Sequence, residues 1–191
     1  MVKRLLIMGP QGVGKGTQAA VLGEHFGIQP ISTGDIFRYN IKNATELGEK
    51  VKAIIDRGEL VSDELTGELV RDALSLKNSN QEGFILDGYP RNHNQVVDLD
   101  ATLSELGITL DAVVTLQADR DVLLERMLKR AQIEGRADDT EEAIKKRLEI
   151  YELETAPLVN EYRSRGILVP VDGTPPIEDV TNAIITAIKE L

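Results

Sequence analysis

Short apolar runs alternate with longer amphipathic stretches along this chain. Five of the runs are aliphatic and β-branched and predict strands, at residues 2–8, 28–31, 84–86, 112–116 and 167–171. The stretches between them repeat apolar positions at helical spacing and predict helices at residues 16–25, 34–40, 47–57, 63–75, 94–106, 120–133, 141–165 and 177–190. Strands that alternate with helices predict an α/β fold with a five-stranded parallel sheet and helices on both faces.

Two stretches interrupt this alternation. About three predicted helices separate the second strand from the third, which indicates a helical insertion. Residues 131–135 break a long helical pattern with polar residues and a glycine, which predicts a short loop between two helices. The length of 191 residues suits one domain that carries such insertions.

A glycine-rich segment, GPQGVGKGT at residues 9–17, follows the first predicted strand and leads into a predicted helix. Glycines allow several backbone N–H groups to point inward, and a helix N-terminus adds partial positive charge, so the segment is built to hold phosphate. Lys15 can reach the outer phosphates. Gly16 stands where Ser or Thr is usual, so either Thr17 places a hydroxyl on Mg²⁺ or no side chain of the loop does.

Composition narrows the function classes. The chain has no cysteine and two histidines, which excludes disulfides and cysteine-ligated zinc and predicts no structural zinc. The apolar run 5–8 is too short for a signal peptide or a membrane span, so we expect a cytoplasmic protein without a membrane partner. A net charge of −10 disfavours nucleic acid as a partner. A polyanionic ligand therefore requires basic residues concentrated at its site.

Candidate site residues follow the predicted strands. Asp87 ends the third strand, where a carboxylate can hold Mg²⁺ through water. Arginine binds phosphate oxygens in pairs and keeps its charge, as transfer between two polyanions requires. Six arginines flank predicted strand ends or loop edges: Arg38, Arg91, Arg126, Arg130, Arg136 and Arg147. The chain lacks the H-R-D base motif of hydroxyl-directed kinases, which favours a phosphate acceptor that is already a dianion at neutral pH.

Seven segments, in order over nearly the whole chain, resemble the adenylate kinase family of nucleoside monophosphate kinases in its short-lid form. They are residues 9–18, 32–38, 58–65, 83–91 with Gln95, 135–139, 146–148 and 171–174. The most specific is DGYPR at residues 87–91, and the G-K-G-T order at residues 14–17 is the family's usual form. The resemblance implies the phosphate-loop architecture of these kinases and reversible, Mg²⁺-dependent transfer of the terminal phosphoryl group of ATP to AMP, giving two ADP.

The resemblance also implies a role for each matching position. ATP would be bound by Gly12, Val13, Gly14, Lys15, Gly16, Thr17, Arg126, Arg130, Gly173 and Pro175. AMP would be bound by Thr33, Gly34, Arg38, Glu59, Leu60, Val61, Gly88, Tyr89, Pro90, Arg91, Gln95, Arg136 and Arg147. The catalytic set would be Lys15, Arg91, Arg126, Arg130, Arg136 and Arg147. Thr17 and Asp87 would organise Mg²⁺, and Asp138 and Asp139 would position lid arginines.

The same resemblance implies how the single domain is divided. Residues 1–31, 62–129 and 137–191 would form the core, residues 32–61 a mobile AMP-binding insertion, and residues 130–136 a short lid. Closure of that lid is expected to exclude water, so that ATP is not hydrolysed when AMP is absent. The expected substrates are ATP, AMP and ADP, and the family expectation is a monomer.

Three other functions share part of this pattern. A uridylate/cytidylate kinase shares the fold. Thr33 and Gln95 favour an adenylate kinase, and the Gln95 amide offers the donor and the acceptor that adenine N1 and N6 require. Asn92, in contrast, is more typical of the uridylate/cytidylate kinases. A GTP-binding switch would need an N-K-x-D element, which is absent. A nucleotide-dependent binding module needs no second anion clamp, and the six arginines argue against it.

Overall fold

The structure, a computed structural model, describes residues 3–75, 82–134 and 139–191. Its strands are β1 (Lys3–Met8), β2 (Gln29–Ser32), β3 (Gly83–Asp87), β4 (Ala112–Gln117) and β5 (Leu168–Asp172). The helices before β3 are α1 (Lys15–Phe26), α2 (Thr33–Lys42), α3 (Glu46–Asp56) and α4 (Asp63–Ser75). The later helices are α5 (His93–Glu105), α6 (Arg120–Glu134), α7 (Glu141–Ile150), α8 (Leu158–Ser164) and α9 (Ile177–Glu190).

The five strands form one parallel sheet in the order β2-β3-β1-β4-β5. The central strand β1 pairs with β3 on one side and β4 on the other, so the phosphate-loop segment leaves the middle of the sheet. In such a sheet ligands bind beyond the carboxyl ends of the strands. The predicted fold class is confirmed.

Strand β1 shows why both faces of the sheet are covered. Leu5 and Ile7 pack into a core that includes apolar side chains of α1, α6, α7 and α9. Leu6 and Met8 point the other way, into a core that includes side chains of α4, α5 and α8. Alternate residues of a strand face opposite sides, so a run without polar positions predicts burial on both.

Polar side chains fix the starts of four helices. The side-chain oxygens of Ser32, Thr45, Asn92 and Thr140 each accept a hydrogen bond from the backbone N–H three residues later, at 3.0–3.3 Å. Such caps satisfy N–H groups that have no partner inside the helix. They set the entry points of α2, α3, α5 and α7, which surround the candidate site.

The prediction of one helix over residues 141–165 is wrong. Helix α7 ends at Ile150, a π-helical turn follows at Tyr151–Thr155, and α8 begins at Leu158. Pro157 lacks the N–H that a continuous helix needs at that point. The break allows Thr155 to turn its hydroxyl towards the site.

The other differences from the predicted elements concern where strands and helices begin and end. Val2, the predicted first residue of the first strand, lies outside the described residues. Strand β2 extends to Ser32 and α2 begins at once at Thr33. Among the described helices, none combines the length and apolar character needed to cross a membrane.

Candidate active site at the carboxyl ends of the strands

A cavity of about 910 Å³ opens at the carboxyl ends of β1, β2 and β3. Most of the sequence-predicted site residues line it: Gly12, Val13, Gly14, Lys15, Gly16, Thr17, Thr33, Gly34, Arg38, Glu59, Leu60, Val61, Asp87, Gly88, Arg91, Gln95, Arg126, Arg130, Arg147, Gly173 and Pro175. Arg136 and Asp138, also predicted, lie outside the described residues. The lining residues thus come from a stretch of sequence more than 160 residues long, from Gln11 to Val180, and the fold brings them around one cavity.

The phosphate loop needs glycine for its shape. Gly14 immediately precedes α1 with φ of 104°, a left-handed backbone conformation that other residues rarely adopt. Gly12 has φ of 85°, and a Cβ there would lie 2.9 Å from the backbone oxygen of Leu123. The loop therefore delivers the N-terminus of α1 to the cavity, where its free N–H groups can bind phosphate.

Lys15 is the first residue of α1, and its ammonium bends back over the loop. Its Nζ donates a hydrogen bond to the backbone oxygen of Pro10 at 2.9 Å. Burial lowers the pKa of Lys15 to about 8, the charges of Arg91 and Arg130 act in the same direction, and Asp87 opposes them. The ammonium therefore lies near two other cations, and among the described residues Asp87 is the carboxylate that compensates their charge.

Asp87 provides that carboxylate at the end of β3. Its Oδ1 is buried and has no hydrogen-bond partner among the residues that the structure describes, so it is available to an ion or a water molecule. Thr17, exposed on the first turn of α1, lines the same cavity. Within the described ranges, no cluster of three or more acidic, histidine or cysteine side chains could hold a metal ion. An oxygen pair of this kind fits Mg²⁺ that arrives with a nucleotide.

Arg91 lines the same cavity and is held by three hydrogen bonds. Its backbone N–H donates to Gln95 Oε1 at 2.7 Å, its backbone oxygen accepts from Thr155 Oγ1 at 2.6 Å, and its Nε donates to the Gly88 oxygen at 2.8 Å. Burial lowers the pKa of Arg91, with Arg147 and Arg38 adding to the effect and Asp87 opposing it. Such crowded cations indicate a site for a bound anion.

Gly88 leaves room for the side chains of Arg91 and Thr33. It has φ of 85°, and a Cβ there would lie 2.5 Å from Thr33 Oγ1 and 3.1 Å from a terminal nitrogen of Arg91. Arg38 stacks close to Gly34 and forms an ion pair of 2.6 Å with Asp35. The backbone at Gly88 and at Gly34, in the first turn of α2, therefore approaches these side chains with no Cβ in between.

Asp139 joins two predicted arginines. Its side chain is fully buried and accepts from Arg130 Nε at 2.8 Å and Nη2 at 2.9 Å, and from Arg147 Nη1 at 2.8 Å. Arg147 Nη2 also donates to the backbone oxygen of Ile55, in α3, at 3.4 Å. One carboxylate thus aligns two guanidinium groups at the cavity wall.

Changing Asp139 to asparagine is expected to lower the free energy of unfolding by about 2–3 kcal/mol, because charge-assisted hydrogen bonds are lost from a buried position. Asp100→Asn is the matched control, since Asp100 also accepts a two-point contact from an arginine, Arg165, but at the surface. That control should cost less than about 1 kcal/mol. Urea unfolding of both variants measures the difference, and equal losses would contradict the prediction.

Arg126 occupies a different position from the other arginines. It donates to the backbone oxygens of Gly173 at 2.8 Å and Thr174 at 3.1 Å, and lies 3.5 Å from that of Val13. Its guanidinium therefore ties the phosphate loop to the loop after β5. The contact between Arg126 and ATP phosphates stays a prediction.

Two predicted AMP-binding residues are placed beneath the cavity rather than at its surface. Tyr89 and Pro90 are buried, do not line the large cavity, and contribute to a smaller one of about 30 Å³ beside it. The hydroxyl of Tyr89 donates to Asp98 Oδ2 at 2.7 Å. These side chains support the loop that carries Gly88 and Arg91.

The structure also shows site residues that the sequence reasoning missed. Phe37, Thr66, Ile177 and Val180 are among further side chains that line the cavity. Apolar spacing on α2 and α9 could have indicated Phe37, Ile177 and Val180, but such spacing looks the same for core residues. Thr155, which binds the backbone of Arg91, gave no local signal.

Comparisons with known proteins agree with this geometry. The model of the family described as adenylate kinase matches residues 7–167. An adenylate kinase of Bifidobacterium longum is 61% identical over 97% of this chain and 100% of its own length. One of Leifsonia xyli is 54% identical over 97% of this chain and 93% of its own, and one of Thermobifida fusca 47% identical over 97% and 98%.

Proposed function

The chain belongs to the adenylate kinase family, whose members transfer a phosphoryl group reversibly between ATP and AMP to give two ADP, and from this premise we propose how its residues divide the work. It is a phosphotransferase that acts on nucleotides. The observation that carries the proposal is that cations from several elements converge on one cavity at the ends of the strands. Lys15 comes from α1, Arg91 from the loop after β3, and Arg130 and Arg147 from α6 and α7.

ATP binds on the α1 side. Backbone N–H groups of residues 12–17 hold its phosphates, and Lys15 leaves the Pro10 oxygen to pair with the outer ones. The wall formed by Gly173 and Pro175, with Arg126 fixed against it, lies where the nucleoside end of the donor extends. Burial of the Lys15 ammonium makes a phosphate partner more favourable, because that charge lacks water.

AMP binds on the opposite side. Arg91 and Arg38 hold its phosphate, and Gln95 pairs with the edge of its base. Thr33, Gly34 and Gly88 provide close-packed backbone beneath it, while Glu59, Leu60 and Val61 close the side towards α3. Because three hydrogen bonds already hold Arg91, binding of the phosphate costs little conformational entropy at this residue.

The two phosphates meet between these two sides. The guanidinium groups of Arg130 and Arg147 already share Asp139, so they are aligned before substrates bind, and Arg136 is proposed to join them. Their charges offset the repulsion between two polyanions and the negative charge of the transition state. Thr17 and Asp87 would hold Mg²⁺, which when bound neutralises charge on the donor phosphates. The dianionic acceptor needs no protein base.

Mobile parts complete the proposal. The core consists of residues 1–31, 62–129 and 137–191. Residues 32–61 form the mobile AMP-binding insertion, and residues 130–136 form a short lid. Closure of the lid excludes water from the bound nucleotides. Phe37, Val51 and Val61 form a small apolar cluster that is distinct from the two cores of the sheet, which supports the proposal that these residues belong to one insertion. We also propose a cytoplasmic monomer whose lid needs no zinc, consistent with the absence of cysteine.

Phosphate transfer from Mg·ATP to AMP, UMP and CMP in parallel, with a control that lacks an acceptor, tests the substrate assignment. ADP formation should strongly favour AMP. A preference for UMP or CMP would contradict the assignment of the base while leaving the phosphate chemistry intact. Appreciable ATP hydrolysis without an acceptor would contradict water exclusion by the lid.

Replacing Gln95 with alanine is expected to raise the KM for AMP at least about tenfold, because the base edge loses two hydrogen bonds in a buried site. The KM for ATP should change little. Val97→Ala is a suitable control on the same helix, since Val97 is 56% exposed. Initial rates at varied AMP and at varied ATP separate the two effects, and an unchanged KM for AMP would remove Gln95 from the role of base reader.

A further inference from the structure

Gln95 presents an amide whose orientation is set by two neighbours. Its Nε2 donates to Asp63 Oδ1 at 2.8 Å, and its Oε1 accepts from the backbone N–H of Arg91 at 2.7 Å. The residue is 2% exposed, so water cannot readily replace either partner. The amide is therefore held from both ends.

Asp63 determines which end of the Gln95 amide carries the oxygen and which carries the nitrogen. A carboxylate accepts hydrogen bonds and donates none, so it can pair with the amino end of Gln95 but not with the oxygen. Asn92 Nδ2 donates to the same Asp63 oxygen at 2.9 Å, and Asn92 Oδ1 accepts from the backbone N–H of Gln95 at 3.0 Å. A reversed amide would set oxygen against carboxylate and amino group against the N–H of Arg91. Asn92 is thus engaged within the protein and, unlike Gln95, does not line the cavity.

The fixed amide keeps one N–H and one oxygen lone pair for a ligand in the cavity that Gln95 lines. Adenine offers a donor at N6 and an acceptor at N1, which match that pair. Hypoxanthine and guanine offer an acceptor at O6 and a donor at N1, which is the reverse. IMP has nearly the shape of AMP, so polarity rather than size has to distinguish them.

We propose that Asp63 is a specificity-determining residue that fixes the polarity of the Gln95 amide and so makes the acceptor site favour 6-aminopurine over 6-oxopurine monophosphates. The inference rests on the proposed role of Gln95 as the base reader. Asp63 does not line the cavity and acts through Gln95, so it is a positioning residue.

The unaltered protein provides the first test. Three acceptors are compared by kcat/KM with saturating Mg·ATP: AMP, IMP, and purine riboside 5′-monophosphate, which keeps the N1 acceptor and lacks the 6-amino group. The expected order is AMP, then the unsubstituted purine, then IMP, with IMP at least about 100-fold below AMP. IMP equal to or better than the unsubstituted purine would overturn the proposal, since an amide free to turn accepts both polarities.

Asp63→Asn provides the second test, because asparagine has the same shape but offers both a donor and an acceptor to Gln95. The ratio of kcat/KM for AMP to that for IMP should fall at least about tenfold. The AMP to CMP ratio should stay constant, because cytosine presents the same polarity as adenine. Glu64→Gln is the matched control, since it removes the same charge from an exposed neighbour in the first turn of α4, and its AMP to IMP ratio should not change.

Gln95→Ala separates the inference from its premise. If Gln95→Ala leaves the AMP to IMP ratio as in the unaltered protein, Gln95 does not read the base and both ideas are wrong. If Gln95→Ala lowers the ratio and a folded Asp63→Asn does not, only the role of Asp63 is wrong. Equal losses with AMP, IMP and CMP in Asp63→Asn would show a merely structural role. If that variant does not fold by circular dichroism, the acceptor ranking of the unaltered protein decides.

Discussion

Replacing Lys15 with methionine should lower kcat about 10²- to 10³-fold, the scale of losing one main electrostatic contact to a transition state. Methionine keeps most of the aliphatic stem, while the positive charge next to the donor phosphates disappears. The N-terminus of α1 remains, so binding of ATP should weaken less than turnover. Steady-state rates with AMP and Mg·ATP, together with nucleotide binding measured by calorimetry, separate the two effects.

Lys145→Met serves as the control for the Lys15 change. Lys145 is exposed and pairs with Glu141 one helical turn away, so its loss should leave kcat within about twofold, as expected for a surface ion pair. Circular dichroism should show both variants folded. Turnover of Lys15→Met close to that of the unaltered protein would refute the catalytic role of Lys15.

Replacing Arg91 with lysine should reduce kcat/KM for AMP by about 10²-fold or more, although the charge is retained. Lysine cannot reproduce the hydrogen bond from Nε to the Gly88 oxygen while also presenting two parallel N–H groups to a phosphate. The KM for ATP should change little. Varying AMP at saturating ATP, and then the reverse, gives both constants.

Arg163→Lys is the corresponding control, because Arg163 is exposed and forms a local hydrogen bond with Asn160, three residues earlier. It should leave both KM values unchanged. A similar loss of kcat/KM for AMP in the control, or none in Arg91→Lys, would contradict the proposed phosphate clamp. A parallel loss with ATP would place Arg91 between the two nucleotides instead.

Features that depend on local sequence were predictable here. The apolar runs located all five strands, because burial on both faces leaves little room for polar residues. The phosphate loop was predictable because its glycines and Lys15 act within a few residues of one another. The carboxyl ends of parallel strands lie at one edge of the sheet, and this rule predicts Asp87 near Lys15.

Features that depend on distant partners were not predictable. Thr155 looked like one more position of a long helix, and only the π-helical turn before Pro157 directs its hydroxyl to Arg91. Asp63 looked like an acid in the first turn of a helix, which is a common place for one. Tyr89 and Pro90 belong to a specific motif, yet their side chains pack under the site. A motif shows that residues act together, not which of them face the ligand.

The hydrogen bond between Thr155 and Arg91 has a consequence for the newly made protein. The two residues are 64 positions apart, so a chain emerging from the ribosome contains Arg91 well before its anchor. The phosphate loop and the strands β1, β2 and β3 all precede Thr155 in the chain. A chain that ends before Thr155 therefore keeps the local contacts of Arg91 with Gly88 and Gln95 but lacks this third anchor of the acceptor site.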